Sequence, residues 1–174
     1  MIKKWEILFD YVDTTRDGIV DIEEMMSYPN RLVSEGKQER GKLLGDILSE
    51  TWGRMCEANN LPREHASLTK AQWVIGRRAL TKTDWFRKTY VPTLATIHFE
   101  SLDRDHDNTI TLDEWRTYKH KRGVTDDAAI QSAFKRLDLD GDGIISQEEM
   151  THAITQFCIG EDPSDDYSFL YIVH

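Results

Sequence analysis

Acidic side chains recur at a fixed spacing between residues 138 and 149. With Asp138 counted as position one, oxygen-bearing side chains occupy positions one, three, five, nine and twelve: Asp138, Asp140, Asp142, Ser146 and Glu149. A hard dication takes about six to eight oxygen ligands, and a loop with this spacing wraps them around one Ca²⁺. Gly143 at position six permits the positive φ of the turn, and Ile144 can supply its carbonyl at position seven. The segment therefore predicts a calcium site, because carboxylates this close would repel one another in a metal-free surface turn.

The segment from residue 103 to residue 114 repeats this pattern. Its candidate ligands are Asp103, Asp105, Asp107, Thr109, Thr111 and Glu114. Only position six departs, where Asn108 replaces glycine, and asparagine is among the residues that tolerate the left-handed region. A second calcium site is therefore predicted here, with His106 as a solvated loop residue at the outward-facing position four.

A third copy of the pattern lies near the beginning of the chain, between residues 13 and 24. Its candidate ligands are Asp13, Thr15, Asp17, Ile19, Asp21 and Glu24. Thr15 places an uncharged hydroxyl at position three, while Asp21 restores one negative charge at position nine. We interpret this loop as a competent site that is tuned differently. The alternative is a vestigial loop that serves only as a structural mate.

Helix-loop-helix units of this kind pair through short strands in their loops, so three loops imply a fourth. The best apolar centre for it is Ser67-Leu68-Thr69, which makes Leu61 position one and Gln72 position twelve. Almost no oxygen ligands remain in this segment. We predict that it pairs with the first loop and binds no metal, so that the chain binds three Ca²⁺, with Mg²⁺ possible at rest.

Apolar residues at helical spacing flank the loops and predict the elements that position them. One stripe enters the first loop and another runs to about Ala58: Trp5, Leu8, Phe9 and Val12, then Leu43, Leu44, Ile47, Leu48, Trp52 and Met55. Pro92 interrupts or kinks a later segment, and Thr125 with the acids after it marks another helix start. Eight helices in four helix-loop-helix pairs result, so the fold class is all-α, with short two-residue β pairing between loops.

The four units group into two pairs. Residues 1–82 form the N-terminal pair, with a competent first loop and a degenerate second one, and residues 83–160 form the C-terminal pair, in which both loops are competent. Residues 161–174 form an apolar tail, which we expect to pack on the body because exposed apolar surface is costly. The alternative is that this tail closes a ligand cavity.

Composition and charge narrow the class of partners. The net charge of −9 and the lack of a basic patch make nucleic acid an unsuitable partner. The short basic clusters Arg77-Arg78 and 119–122 are interpreted as solvated helix surface. No apolar run reaches the length of about 18 residues that predicts a membrane span, and no apolar signal core begins the chain. Cys56 and Cys158 fit two reduced thiols of a cytoplasmic protein, although a disulfide between them remains open.

Together these features resemble the sarcoplasmic calcium-binding protein superfamily of EF-hand proteins, whose relatives include calexcitin, luciferin-binding proteins and calcium-triggered photoproteins. The resemblance covers essentially the whole chain and implies two EF-hand pairs packed face to face in one compact body. Asp113-Glu114-Trp115 and Glu149-Met150-Thr151 resemble the third and fourth units of the photoprotein branch. Light emission in that branch requires histidines, and the matching places here hold Trp5 and Ile154. The resemblance therefore does not extend to the polar groups of luminescent catalysis.

The sequence favours a cytosolic calcium buffer of the sarcoplasmic calcium-binding type, acting as a monomer. The first alternative is a calcium-dependent luciferin-binding protein of the coelenterazine type, or another carrier of a small apolar molecule. Its cavity would be lined by large aromatic side chains: Trp52, Trp73, Trp85, Trp115 and Phe157. The second alternative is a calcium sensor with a protein target, although five scattered methionines do not form a Met-rich groove. No catalytic motif is found, so no enzyme activity is expected.

Overall fold

The structure is a computed structural model that describes residues 2–160 together with residues 167 and 170. This part of the chain contains eight α-helices, one π-helical segment and four short strands. The fold is all-α with EF-hand-like helix-loop-helix units, as the loop spacing predicts. The chain divides into two units, the first ending at Tyr90 and the second beginning at Val91. The predicted division after residue 82 lies eight residues earlier, in the turn that follows the fourth helix.

The first unit holds two helix-loop-helix motifs. Its elements are α1 (Ile2–Val12), β1 (Ile19–Asp21), α2 (Ile22–Ser34), α3 (Gln38–Ala58), β2 (Ser67–Thr69), α4 (Lys70–Leu80) and the π-helical segment Phe86–Tyr90. Strands β1 and β2 are antiparallel, with Val20 opposite Leu68. Both residues are fully buried. The degenerate second loop is therefore centred on Leu68, as predicted, and it pairs with the first loop.

The second unit repeats this arrangement. Its elements are α5 (Val91–Leu102), β3 (Ile110–Thr111), α6 (Leu112–Lys121), α7 (Asp127–Leu137), β4 (Ile144–Ile145) and α8 (Gln147–Ile159). Ile110 of β3 lies opposite Ile145 of β4, and both are fully buried. Helix α8 packs against α5, so the exit from the fourth loop leads directly into the core of this unit.

The π-helical segment joins α5 without a break, and the second residue of α5 is Pro92. Proline has no N–H to donate to the carbonyl four residues earlier, which favours a wider turn at this place. The interruption predicted at Pro92 therefore takes the form of a π-helical turn. This turn brings Phe86 and Tyr90 into a stacked pair with ring centroids 4.7 Å apart.

Two positions differ from the predicted helices in small ways. Leu43 is 47% exposed, because it precedes Leu44 by one residue and is rotated by roughly 100° from the buried face of α3. Helix α7 is capped by Asp126, not Thr125, and the Asp126 side chain accepts hydrogen bonds from the N–H groups of Ala128 and Ala129. A carboxylate is the stronger cap when both side chains are available, since it also favours the positive end of the helix dipole.

Two cationic side chains are buried, and the prediction that their clusters are solvated is wrong at these positions. Arg77 of α4 is 2% exposed and Lys119 of α6 is 4% exposed, whereas their neighbours Arg78 and Lys121 are exposed. The Nζ atom of Lys119 lies 4.8 Å from the ring centroid of Trp115. Burial lowers its pKa from 10.5 to about 8.

The predicted apolar tail, residues 161–174, lies outside the described residues except at two positions. Tyr167 and Leu170 are both buried. The ring of Tyr167 meets His152 of α8 edge to face at 6.0 Å, and the carbonyl of Leu170 accepts a hydrogen bond from Lys119 Nζ at 3.2 Å. Packing of the whole tail remains a prediction.

Cys56 and Cys158 are both buried, and no disulfide joins them. None of the helices between residues 2 and 159 is long and apolar enough to cross a bilayer.

The buried Lys119 predicts a pH-dependent stability. Between about pH 8 and 10.5 this amine is neutral in the folded protein but protonated in the unfolded chain. Unfolding then takes up a proton, so the contribution of Lys119 to stability rises with pH over this window. In urea unfolding at fixed Ca²⁺, the wild-type protein should gain stability relative to Lys119→Met as the pH rises from 8 to 10.

Lys121→Met is the matched control, since it removes an exposed amine from the same helix. It should follow the wild-type pH profile. A stability difference between the wild type and Lys119→Met that is constant with pH would contradict the assignment.

Candidate metal sites

The four loops share one construction at the start of the exit helix. Position nine is the N-cap of that helix and position twelve is its third residue, in the pairs Asp21 and Glu24, Thr69 and Gln72, Thr111 and Glu114, and Ser146 and Glu149. In the last three loops the two side chains form a capping box, in which each accepts from the backbone N–H of the other. The side chain at position twelve is thus held by the helix before any ion is considered.

In the fourth loop, the acids are tied to the backbone of the loop that they surround. Asp138 Oδ2 accepts from Gly143 N at 3.1 Å, and Asp142 Oδ1 accepts from Ile144 N at 3.0 Å. Glu149 Oε1 accepts from Leu139 N at 2.6 Å, while its Oε2 accepts from Ser146 N at 2.7 Å. Glu149 therefore joins the beginning of the loop to the helix that leaves it.

The third loop has the same pattern. Asp103 Oδ2 accepts from Asn108 N at 3.1 Å, and Glu114 accepts from Arg104 N at 2.8 Å and from Thr111 N at 2.9 Å. Asn108 has a φ of 65°, so it takes the left-handed conformation predicted for position six. The turn survives the loss of glycine, as the sequence predicts.

Acidic oxygens converge in these two loops. One oxygen each from Asp103, Asp105 and Glu114 lie within 4.8 Å of one another, as do those of Asp138, Asp140 and Glu149. Asp103 is 5% exposed, and its buried Oδ1 has no hydrogen-bond partner among the described residues. A buried carboxylate oxygen without a donor is costly, and a cation would satisfy it. Positions one, three and twelve of both loops therefore fit a hard dication.

Position twelve is charged at neutral pH in both loops. Burial disfavours the ionised form of Glu114, but hydrogen bonds from Thr111 and Arg104 outweigh it and lower its pKa below the usual value. The pKa of Glu149 is also lowered, since hydrogen bonds from Ser146 and the loop backbone outweigh the effect of burial. The hydrogen-bond donors that fix each carboxylate also keep it ionised, which is the form that binds a cation.

The position-nine hydroxyls of the third and fourth loops cap the exit helices. Thr111 Oγ1 and Ser146 Oγ each lie 2.9 Å from the position-twelve carboxylate, to which they donate. They also accept from the backbone N–H of position twelve. In this structure both side chains serve as helix caps.

The first loop uses its glutamate in another way. Glu24 Oε1 accepts from the N–H groups of Thr14 and Thr15 at 2.9 and 3.0 Å, and Thr15 Oγ1 lies 3.1 Å from it. Asp21 holds the cap position, so a capping box would bring two carboxylates together. Within the described part of the chain, clusters of three acids occur only in the third and fourth loops. Asp13 and Asp17 nevertheless bind the loop backbone as their counterparts do.

The second loop has no side-chain oxygen at the first three ligand positions. These positions hold Leu61, Arg63 and His65, and the guanidinium of Arg63 lies 3.3 Å from Glu57. Gln72 retains the capping role of position twelve, accepting from Thr69 N at 3.0 Å. The loop keeps its fold through the cap and the β1–β2 pair, without acids.

A second left-handed residue was missed in each ligand-rich loop. Position four has a positive φ in all three, with Arg16 at 58°, His106 at 62° and Gly141 at 77°. Gly141 was the only signal of this in the sequence. Arg16 and His106 are both exposed, as predicted for His106.

Comparison with known families agrees with this geometry. A model of the EF-hand domain pair matches residues 93–155, and a model of the EF hand matches residues 6–27. The chain is an EF-hand protein. It binds calcium, and its sequence is similar to those of photoproteins and of a sarcoplasmic calcium-binding protein.

Two relatives align with this EF-hand protein over nearly its whole length. Obelin of Obelia geniculata is 27% identical over 95% of this chain and 87% of its own. The sarcoplasmic calcium-binding protein of Mizuhopecten yessoensis is 23% identical over 94% of this chain and 92% of its own.

Solved structures share the fold at low sequence identity. The calcium-loaded apo form of the coelenterazine-binding protein from Renilla muelleri has a TM-score of 0.60 at 21% identity, covering 98% of this chain and 93% of that one. Okadaic acid binding protein 2.1 has a TM-score of 0.73 at 18% identity, covering 98% and 92%.

The substitution Glu149→Gln tests the fourth loop. The glutamine oxygen can still accept from Ser146 N, as Gln72 accepts from Thr69 N, so α8 should begin normally while the charge is lost. We expect calorimetric titration to count one Ca²⁺ fewer than in the wild-type protein.

The matched control is Gln72→Glu, which gives the second loop a carboxylate at position twelve. It should leave the Ca²⁺ count unchanged, because Leu61, Arg63 and His65 still occupy the other positions. A site gained in this control, or an unchanged count in Glu149→Gln, would refute the assignment.

The substitution Thr15→Asp tests the first loop. It adds a carboxylate at position three and removes the Thr15 hydroxyl that lies 3.1 Å from Glu24 Oε1. Affinity rises with the number of charged ligands, so Ca²⁺ should bind this loop on the order of tenfold more tightly in a chelator competition assay. Thr14→Asp adds the same charge at position two, outside the ligand positions. An equal gain in both variants would show that only net charge matters.

Proposed function

We propose that this EF-hand protein is a calcium-regulated carrier of a small apolar molecule of the coelenterazine type. The observation that carries the proposal is which proteins are similar to this chain over nearly its whole length. Obelin and the coelenterazine-binding protein align with nearly the whole chain, beyond the loops that every calcium-binding EF hand needs. The carrier, which the sequence ranks second to a buffer, becomes the better-supported function.

Three calcium sites are part of the proposal. The third and fourth loops supply Asp103, Asp105 and Glu114, and Asp138, Asp140 and Glu149, while the first loop supplies Asp13, Asp17 and Glu24. A bound Ca²⁺ balances the negative charge of these carboxylates, and Mg²⁺ can take its place at rest. The weaker convergence of acids in the first loop supports a lower affinity there.

The exit helices connect the calcium-binding loops to the interior of each unit. Glu149 is the third residue of α8, so a shift of its carboxylate must be followed by the start of that helix. Helix α8 packs against α5, and the buried side chains of α8 include Ile154 and Phe157. In the first unit Glu24 stands at the same place in α2, which packs against α3. A ligand held among such core residues would be released when these helices move.

Binding without light emission is the form of the proposal that fits the core. Trp5 and Ile154 stand where the photoprotein resemblance implies histidines, and both are fully buried. Neither side chain can transfer a proton at neutral pH, so neither can serve in acid-base chemistry there.

A plain calcium buffer is the second candidate, and the relative from Mizuhopecten yessoensis favours it. A buffer needs only the loops and a closed core. It would bind Ca²⁺ in the same positions, so calcium titration alone does not separate the two functions.

Coelenterazine binding with and without Ca²⁺ does separate them. In EDTA we expect one coelenterazine to bind per chain, and quenching of tryptophan fluorescence measures this binding. Once Ca²⁺ is added, binding should be at least tenfold weaker. The triple variant Glu24→Gln, Glu114→Gln and Glu149→Gln should bind the ligand equally well in EDTA and in Ca²⁺. A wild-type protein that binds no coelenterazine under either condition is a buffer, and the carrier proposal then fails.

A further inference from the structure

The buried guanidinium of Arg77 lies among aromatic rings of the first unit. Its central carbon is 4.6 Å from the ring centroid of Trp73, 5.7 Å from that of Tyr90 and 5.8 Å from that of Trp5. Trp5 and Trp73 are fully buried, and Tyr90 is 3% exposed. Tyr90 Oη accepts a hydrogen bond from Arg77 Nη1 at 3.1 Å. A permanent positive charge is thus enclosed by three aromatic side chains.

In the part of the chain that the structure describes, no acid neutralises this charge. Among the described residues, no carboxylate lies within the 4.0 Å of an ion pair with Arg77. Burying a charge is costly unless an opposite charge and hydrogen bonds compensate it. Ring faces offset part of the cost, since a cation over an aromatic face is attracted to it. They cannot replace an acceptor for a hydrogen bond.

For two N–H donors in this enclosure, Arg77 Nε and Trp73 Nε1, the described residues supply no acceptor. Both atoms are buried. The two residues are four apart on α4, so they share one face of the helix. Buried donors of this kind are nearly always satisfied in native proteins. Together, the cationic donor of Arg77 and the neutral donor of Trp73 are suited to an oxygen that carries negative charge.

The rings around Arg77 indicate what kind of ligand could carry this oxygen. Phe9 meets Trp73 edge to face at 5.9 Å, and Phe86 stacks on Tyr90 at 4.7 Å. Apolar rings on several sides favour a flat aromatic body. These rings pack directly against the guanidinium, so a ligand enters by displacing them.

We propose that Arg77 and Trp73 form an oxyanion subsite in the first unit, which binds the acidic oxygen of an aromatic small molecule. This inference rests on the proposed carrier function and names the polar group by which the ligand is held. Arg77 supplies the charge and one donor, Trp73 supplies the second donor, and the rings of Trp5 and Tyr90 flank the aromatic body. A neutral apolar molecule of the same shape would leave both donors unsatisfied.

A matched pair of fluorescent probes tests the subsite. Anilinonaphthalene sulfonate and N-phenylnaphthylamine share an aromatic body, but only the first carries an anionic group. In calcium-free wild-type protein the sulfonate should bind more tightly than the neutral probe. Arg77→Met should weaken sulfonate binding roughly 10- to 100-fold, as expected for a charged hydrogen-bonded partner, and leave the neutral probe unchanged.

The control variant is Arg78→Met, which removes an exposed cation next to Arg77 on the same helix. It should leave both probes unchanged, which separates local contact from net charge. Trp73→Phe keeps the ring but removes the N–H, and it should weaken sulfonate binding several-fold. If Arg77→Met does not fold, Trp73→Phe and Arg77→Lys carry the test, because both preserve the enclosure.

Each outcome decides between the inference and the function on which it rests. Equal affinities for the two probes in wild-type protein, or equal losses in Arg77→Met and Arg78→Met, would overturn the oxyanion subsite. If coelenterazine still binds and is released by Ca²⁺, the carrier function stands without it. If neither probe nor coelenterazine binds, both fail.

Discussion

The carboxylate at position twelve is the interaction on which each ligand-rich loop depends. In the second unit one oxygen of Glu114 or Glu149 accepts from the N–H of position two, and the other accepts from the N–H of position nine. A single side chain therefore closes the loop and caps the exit helix. Because the residue belongs to that helix, the loop cannot change shape without acting on the helix and on the core behind it.

Much of this construction was predictable because ligand spacing is a local property of the chain. The oxygen-bearing residues of the third and fourth loops could be read directly, and Asn108 takes the conformation that its type permits. The position of the second loop was also predicted correctly, because Leu68 had to pair with an apolar residue of the first loop. The direction taken by Glu24 could not be predicted in this way. It depends on competition between Asp21 and the Thr14 and Thr15 donors for one side chain.

Burial of cations is the part of the structure that sequence reasoning handled worst. Arg77 and Lys119 stand beside exposed basic neighbours, and charge alone assigns all of them to the surface. Helical phase places these two inward, next to Trp73 and Trp115 respectively. The energy of such a side chain is set by aromatic rings that arrive from elsewhere in the fold. A buffer has no evident need for a charge inside its core, whereas a carrier can use it to hold a polar group.

The strand pairing has a consequence for how steeply the two units respond to calcium. Ile110 and Ile145 join two acid-rich loops, so occupancy of one loop bears on the backbone of the other, which is the physical basis of cooperative binding. Val20 and Leu68 join an acid-bearing loop to one that holds no acids at its ligand positions. With the proposed occupancy, the first unit binds no second ion, so we expect its saturation curve to be that of an isolated site. One chain would then combine a threshold response in one unit with a graded response in the other.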